Sequence, residues 1–436
     1  MRILWLKAGW LLPLDKGGNL RTWHLMRHIA QRHEITFLGF SQPDLAQADI
    51  DGMRDVAAHV DGVPRAEHPR GSWRFYLDVA LHLFDPLPYA IARYRSQAFR
   101  ERLGELMASR RFDLIVCDFL PPAVNMPKAL PCPAVLFTHN VESEIWRRHT
   151  ETAATWLSRW LYALQHRRML RFEEQTLNRF NGVLAVSDND VRTFRRLFPG
   201  ANSRPVEAVP TGVDTAFFAD SGHSSQKEDP AHLVFTGSMD WLPNEDAMLF
   251  FCRQTLPLIR AQVPRVTLAI VGRAPSPTVQ ALAAIEGVSV TGRVDDVRPY
   301  IRDGAVFIVP LRIGGGTRLK IFEAMAMGKA VVSTTVGAEG LPLVDGRHLV
   351  LADEPAAFAN AIVDLLRDPE RRRGLGAAAK ALVVERYDWS AVAVPFEQLL
   401  MRFADRGRPR ADEEPTLQPA LAVEWPRASR STGYEQ

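Results

Sequence analysis

The sequence predicts an α/β protein of two doubly wound domains, and three observations carry that prediction. The chain has 436 residues, beyond the roughly 250–300 at which a single hydrophobic core stops growing. Short apolar runs alternate with longer amphipathic stretches, the pattern of parallel strands joined by crossover helices. The rhythm occurs twice, on either side of a Pro-, Gly- and Ser-rich stretch at 202–230. An apolar share of 47% supplies two cores and excludes global disorder.

In chain order, RILWL (2–6) reads as a buried strand, followed by a Gly17-Gly18 loop that opens a helix over about 19–31. EITFLGF, DLIVCDF (113–119), AVLFTH (134–139) and GVLAVS (182–187) are the further strands of the first half. In the second half HLVFTG (232–237), VTLAIVG (266–272), VSVTG (288–292), AVFIVP (305–310) and AVVST (330–334) each lead into a helix or loop. These elements predict an N-terminal domain over 1–205 and a linker over 206–230, with the charged cluster SSQKEDP as its marker. A second domain over 231–385 and a helix over 386–404 follow. The remainder, 405–436, has little periodicity and reads as a disordered tail.

Composition narrows the function. With 53 basic and 50 acidic side chains the net charge of +3 is too weak to argue for nucleic acid as a partner. Of the basic residues 46 are Arg and seven Lys. Arginine suits phosphate recognition, although a GC-rich genome accounts for the bias equally well. Cys117, Cys132 and Cys252 are an odd number without metal-ligand spacing, which fits a reducing compartment. Lys7 interrupts the apolar N-terminus, no small-residue cleavage site follows, and no segment offers the roughly 18 apolar residues of a membrane span. The expectation is a cytoplasmic protein, with peripheral attachment to the inner face of a membrane left open. Two stretches bear on that attachment. Residues 64–103 and 146–171 interleave arginines with aromatics such as Trp73, Phe84, Trp156 and Trp160. Such a mixture suits an anionic lipid surface, but ordinary helices with packed aromatics and solvated arginines explain it as well, and that reading is given more weight.

The most informative stretch is VPLRIGGGTRLKIFEAMAMGKAVVST (309–334), a strand, a glycine loop, a helix and a further strand, with Gly328 as the helix C-cap. Gly314, Gly315 and Gly316 let the backbone approach a ligand and aim N–H groups at an anion at the helix start. Thr317, Lys320 and Glu323 recur every three residues along one flank, with Arg318 beside them, while Leu319, Phe322 and Ala326 are the expected core-facing stripe. Two cations at a helix start oppose its dipole, so a bound anion explains their placement. A carboxylate can accept two hydroxyl hydrogen bonds, so Glu323 suits a vicinal diol. Diphosphate plus ribose describes a nucleotide sugar.

This stretch, with FTGSMDWLPNEDA, VTLAIVG, VSVTGRVDDV and PTGVDTAFF (210–218), resembles the retaining glycosyltransferases of the group 1 or family 4 type. The N-terminal half resembles them at the Gly-Gly loop, at FTHNVES and at FNGVLAVSDND. The resemblance implies a GT-B fold, two facing Rossmann-like domains with a cleft between them. It also implies transfer of a sugar from a nucleotide-diphosphate donor to a saccharide or lipid-linked acceptor, in exopolysaccharide or cell-surface glycan synthesis. By the family's pattern Gly237 approaches the donor, Gly292, Arg293 and Val294 form the base pocket, Glu323 holds the ribose, and Gly17 and Gly18 lie on the acceptor side. His139 is expected to face the reacting sugar, with Asn140 and Glu142 as neighbours.

Two departures qualify this. The family's first glutamate falls at Gly315, and its usual Arg and Lys after the first strand of the domain fall near Ser238 and Asn244. Arg318 and Lys320 are therefore expected to take the diphosphate charge, and together with His139 they are the catalytic candidates. No cofactor or metal is expected. Asp188-Asn189-Asp190 follows a strand and opens a helix, where capping is the preferred meaning over chelation. Asp295 and Asp296 are expected to cap in the same way, and His24, His28 and His33 lack the spacing of a metal set. Three alternatives remain open: a sugar-nucleotide epimerase of the same fold, a catalytically degenerate binding partner, and a nicotinamide oxidoreductase. The last is ranked low because LDKGGNLR lacks the Gly-x-Gly-x-x-Gly spacing.

Overall fold

The computed structural model describes residues 1–14, 17–65, 72–153, 155–201, 204–219, 228–313 and 319–406. The chain divides into two compact units, one of 1–209 with 393–436 and one of 210–392. Among the described residues each holds a single parallel sheet flanked by helices.

In the first unit the strands are β1 (Arg2–Lys7), β2 (Glu34–Ser41), β3 (His59–Pro64), β4 (Leu114–Asp118), β5 (Ala134–Phe137), β6 (Gly182–Ala185) and β7 (Val206–Ala208). Their order is β3-β2-β1-β4-β5-β6-β7, all parallel. The central strands are buried on both faces, which is why they read as unbroken apolar runs. The helices used below are α1 (Gly17–Ile29), α2 (Glu142–Thr152) and α3 (Trp156–Leu177).

The second unit contains β8 (Asp229–Thr236), β9 (Thr267–Val271), β10 (Val288–Val290), β11 (Gly304–Val309), β12 (Ala330–Ser333) and β13 (Val350–Leu351), in the order β10-β9-β8-β11-β12-β13. Its helices include α4 (Leu242–Phe250), α5 (Leu319–Ala326) and α6 (Pro369–Arg386). The last helix, α7 (Trp389–Arg406), begins in this unit, and from Ala393 it belongs to the first. There Phe396 lies against Trp5 and Phe137, and Glu397 takes ion pairs from Arg32 and His33.

Several boundaries differ from expectation. The stretch expected as a linker begins inside β7 and ends inside β8, and strands β3, β7 and β13 were not among those expected. The last helix runs to Arg406, and the expected tail beyond it lies outside the described residues. Along α5 the buried face is broader than the expected stripe: Ile321, Ala324 and Met325 join Phe322 and Ala326, while Leu319 is half-buried. Gly328 adopts a φ of 71°, and the Gly328 and Lys329 N–H groups bond back to Met325 and Ala324, closing α5 as a glycine C-cap.

In both sheets the strand order reverses beside the first strand of the unit, β1 next to β4 and β8 next to β11. Crossover helices leave opposite faces at that point, so the carboxyl ends of these strands open a crevice where ligands bind in such folds.

Candidate functional site

The residues of interest gather at these two switch points, and each is described within its own unit. In the first, Lys7 ends β1 and Asp118 ends β4, and they are direct partners in the strand register. Both are buried, with Lys7 Nζ 2.8 Å from Asp118 Oδ2. The same oxygen accepts from Thr22 Oγ1 of α1 at 2.6 Å and from Trp5 Nε1 at 3.0 Å, while Oδ1 meets His139 Nε2 at 2.8 Å. Burial works to raise the Asp118 pKa, but Lys7 and His139 outweigh it and hold the carboxyl well below its usual range. Burial pushes the His139 imidazole down to about 4, against the pull of Asp118 and with the help of Arg21 and Lys7.

His139 follows β5 and is 6% exposed. Its ring lies flat on Phe119, centroids 3.9 Å apart and planes 7° from parallel. Phe119 holds that position with a φ of 72°, a left-handed conformation that costs a non-glycine residue about 1–3 kcal/mol. Gly17 and Gly18 form the first turn of α1, and a Cβ on Gly18 would sit 3.2 Å from the Phe119 ring and 3.4 Å from His139 Nδ1. A side chain there would make the stack give by a few tenths of an ångström. Arg21, also buried, spans from α1 to the carbonyls of Thr138 at 2.9 Å and Val209 at 2.6 Å, fixing the backbone just before His139. After His139, the first turn of α2 is capped from α3: Glu173 accepts the N–H groups of Glu142 at 3.0 Å and Ser143 at 3.1 Å. Burial, with Glu173 nearby, raises the Glu142 pKa to about 8.

In the second unit Gly237 follows the end of β8, and α4 and α5 supply the neighbouring side chains. Lys320 Nζ donates to Asn244 Oδ1 at 2.9 Å and lies 4.0 Å from the centre of the Phe235 ring. Asn244 is oriented in turn by donating to the Ser238 carbonyl at 2.8 Å. A Cβ on Gly237 would fall 2.7 Å from Lys320 Nζ and 2.8 Å from Asn244 Nδ2, so the bare backbone is what lets the ammonium approach. Glu323, one turn along α5, is half-buried, and lost hydration pushes its pKa up to about 7 despite Lys320. Gly292 has a φ of 72° with open space around it, Arg293 is exposed, and Val294 packs on the unit's core. The expected candidates Gly314, Gly315, Gly316, Thr317 and Arg318 lie outside the described residues.

Two family models match the chain. A model described as Glycosyltransferase Family 4 matches residues 16–217, and one described as Glycosyl transferases group 1 matches residues 230–368. The chain belongs to the group 1 / family 4 glycosyltransferases. It is 32% identical over 219 residues to a phosphatidyl-myo-inositol mannosyltransferase of Mycolicibacterium smegmatis, covering 49% of this chain and 55% of that relative. It is 38% identical over 145 residues to the protein of the same description in Mycobacterium leprae, covering 32% and 38%. The chain thus spans between 38% and 63% of the length of the curated relatives it matches. Among solved structures, sucrose-phosphate synthase from Thermosynechococcus elongatus superposes with a TM-score of 0.67 at 18% identity, covering 93% of this chain and all of that one. Anabaena Alr3699/HepE in complex with UDP gives 0.62 at 16%, covering 92% and all of that chain. These likenesses establish the GT-B fold of two Rossmann-like domains.

Set against the glycosyltransferase pattern, the structure brings Gly237 and Lys320 into contact and places Glu323 one turn beyond, as it gathers Gly18 and His139 in the other unit. Sequence reasoning missed Lys7, Thr22, Asp118 and Phe119. A signal existed: RILWLK and LIVCD each end an unbroken apolar strand on a charge, which a buried strand tolerates only when the charges pair. Ser187 caps the helix that the Asp188 triplet opens, accepting from Asp190 N at 3.1 Å and donating to the Asp190 carboxylate at 2.8 Å. Asp296 accepts the Arg298 N–H at 2.9 Å at the next helix start. Among the described residues no cluster of His, Cys, Asp and Glu could hold a metal ion.

Proposed function

We propose that this glycosyltransferase retains anomeric configuration and moves a sugar from a nucleotide-diphosphate sugar to a saccharide or lipid-linked acceptor without a metal ion. The observation that carries the reading is the meeting of Lys320, Asn244 and Gly237 at the carboxyl end of β8, with Glu323 one turn further along α5. Lys320 meets Asn244, one of the two positions near which the family resemblance puts cations that this chain lacks, and its ammonium, with Arg318 and the N–H groups of Gly314–Gly316, stabilises charge developing on the departing diphosphate. Those donors cover the charge that a metal would otherwise neutralise. Glu323 as a carboxylate accepts two hydroxyls of the ribose. Gly292, Arg293 and Val294 line the base, and His139, Gly17 and Gly18 serve the sugar and the acceptor. Retention means attack on the face from which the diphosphate departs, and no enzyme nucleophile is assigned.

The names of the mannosyltransferase relatives favour a lipid-linked acceptor, in exopolysaccharide or cell-surface glycan synthesis on the cytoplasmic face of a membrane. The exposed aromatics of the first unit support that setting. Trp156 is 80% and Trp73 69% exposed, with Trp160 and Phe84 also outward and Arg159, Arg167 and Arg171 exposed on α3. Arg168 donates to the Leu83 carbonyl at 2.7 Å, which ties the two stretches together at that point. No helix among the described residues is long and apolar enough to cross a membrane. Turnover tests the reading: nucleoside diphosphate should appear in step with glycosylated acceptor. Donor binding without turnover across saccharide and lipid acceptors would indicate a binding partner instead.

A further inference from the structure

We propose that Asp118 is a positioning residue that fixes His139 as the neutral imidazole protonated on Nε2, making Nδ1 a hydrogen-bond acceptor for a ligand hydroxyl at the first turn of α1. The proposal rests on the reading of His139 as a sugar-facing residue and adds what that residue can recognise.

The argument starts from the carboxylate. Asp118 is completely buried, and Trp5, Lys7 and Thr22 converge on its Oδ2 from β1 and α1. Three donors on one oxygen fix the plane of the group and leave Oδ1 for His139 Nε2 at 2.8 Å. An ionised carboxylate only accepts, so the proton between them belongs to Nε2. The ring is held in its plane by the stack on Phe119, which leaves the ordinary backbone region to make it. Nδ1, left without the proton, lies beside the first turn of α1, 3.4 Å from where a Cβ on Gly18 would sit.

The charged groups around the ring come from every packed element. Lys7 on β1 and Arg21 on α1 disfavour a second proton and Asp118 on β4 favours one, with burial deciding for the neutral form. A neutral acceptor takes a hydrogen bond from a hydroxyl. It offers nothing to a phosphate oxygen or an ether, neither of which has a proton to give. His139 on this account selects a sugar hydroxyl and plays no part in neutralising the diphosphate.

Nitrogen-15 NMR of the full chain with labelled histidine tests this directly, the His139 signals being assigned by their loss in H139Q. Between pH 6 and 8 the wild type should show a protonated Nε2 and an unprotonated Nδ1. Protonation of Nδ1, whether as the other tautomer or as imidazolium, would overturn the proposal. In folded D118N the amide can turn its NH2 group toward Nε2, so an Nδ1–H population should appear, and retention of the pure wild-type tautomer would also overturn it. If D118N does not fold, the wild-type spectrum alone decides. Failure of nucleoside diphosphate to bind the wild type would count against the donor reading and leave the tautomer result standing.

Discussion

Glu323 and Lys320 stand three residues apart on one helix, and their surroundings give them opposite tasks. Burial raises the Glu323 pKa to about 7, so the free protein is partly protonated there at neutral pH. If the carboxylate accepts ribose hydroxyls, binding a nucleotide sugar releases that proton. Affinity should rise as pH increases through about 7 and become flat in E323Q, a comparison isothermal titration makes cleanly because the diphosphate diester does not titrate in this range. R318A/K320A removes two charge-assisted bonds and should weaken donor binding by about 100-fold or more. Asp118 has a structural cost as well: D118A strands a buried Lys7 and should lower unfolding free energy by about 3–5 kcal/mol in denaturant titration. Lys320 and Glu323 stand out through their three-residue spacing on one helix, and His139 only through the resemblance to the family. Lys7 and Asp118 do not stand out, since 111 residues separate them and only the β1–β4 register brings them together.

The elements were legible in proportion to their burial. The central strands stood out as apolar runs because helices cover both faces. The unexpected strands are peripheral ones: HVDGVP in β3 mixes Asp, Gly and Pro and is mostly half-exposed, and β7 and β13 are only three and two residues long. Helix ends are legible within a few residues where capping chemistry marks them, as at Gly328. The join between α6 and α7 shows one such end. Asp388 accepts the Ser390 N–H at 2.9 Å, capping α7, and also Thr215 Oγ1 at 2.5 Å, while Tyr387 stacks on Phe322 of α5 at 4.4 Å. Burial works to raise the Asp388 pKa, but these hydrogen bonds outweigh it and hold it below the ordinary carboxylate value. Its contribution is therefore present above the unfolded pKa of about 4 and lost as pH falls through the lower folded one. D388A should destabilise the protein by about 1–2 kcal/mol at pH 7, and the difference should shrink on acidification.

For the whole molecule, two doubly wound parallel domains are legible in the doubled rhythm of the sequence, while the reversal of strand order beside β1 and β8 comes from the fold. Which side chains occupy those points emerged only from the folded chain. The arginine excess now divides: Arg21 and Arg168 hold backbone carbonyls, Arg318 has a proposed anion, and Arg159, Arg167 and Arg171 are exposed on the helix that carries Trp156 and Trp160. If that helix meets lipid, W156A/W160A should reduce co-sedimentation with anionic vesicles by about tenfold or more, and salt should weaken the wild-type interaction. The central claim, a nucleotide-sugar site built on Lys320 and Glu323, is tested most directly by thermal shift with a panel of nucleoside diphosphates and their sugars. At about 100 times the dissociation constant a specific ligand stabilises the native state by about 2.7 kcal/mol. One base should therefore stand out in the wild type, and its shift should vanish in K320A. A panel without any stabilising nucleotide, or a shift of equal size in K320A, would contradict the account.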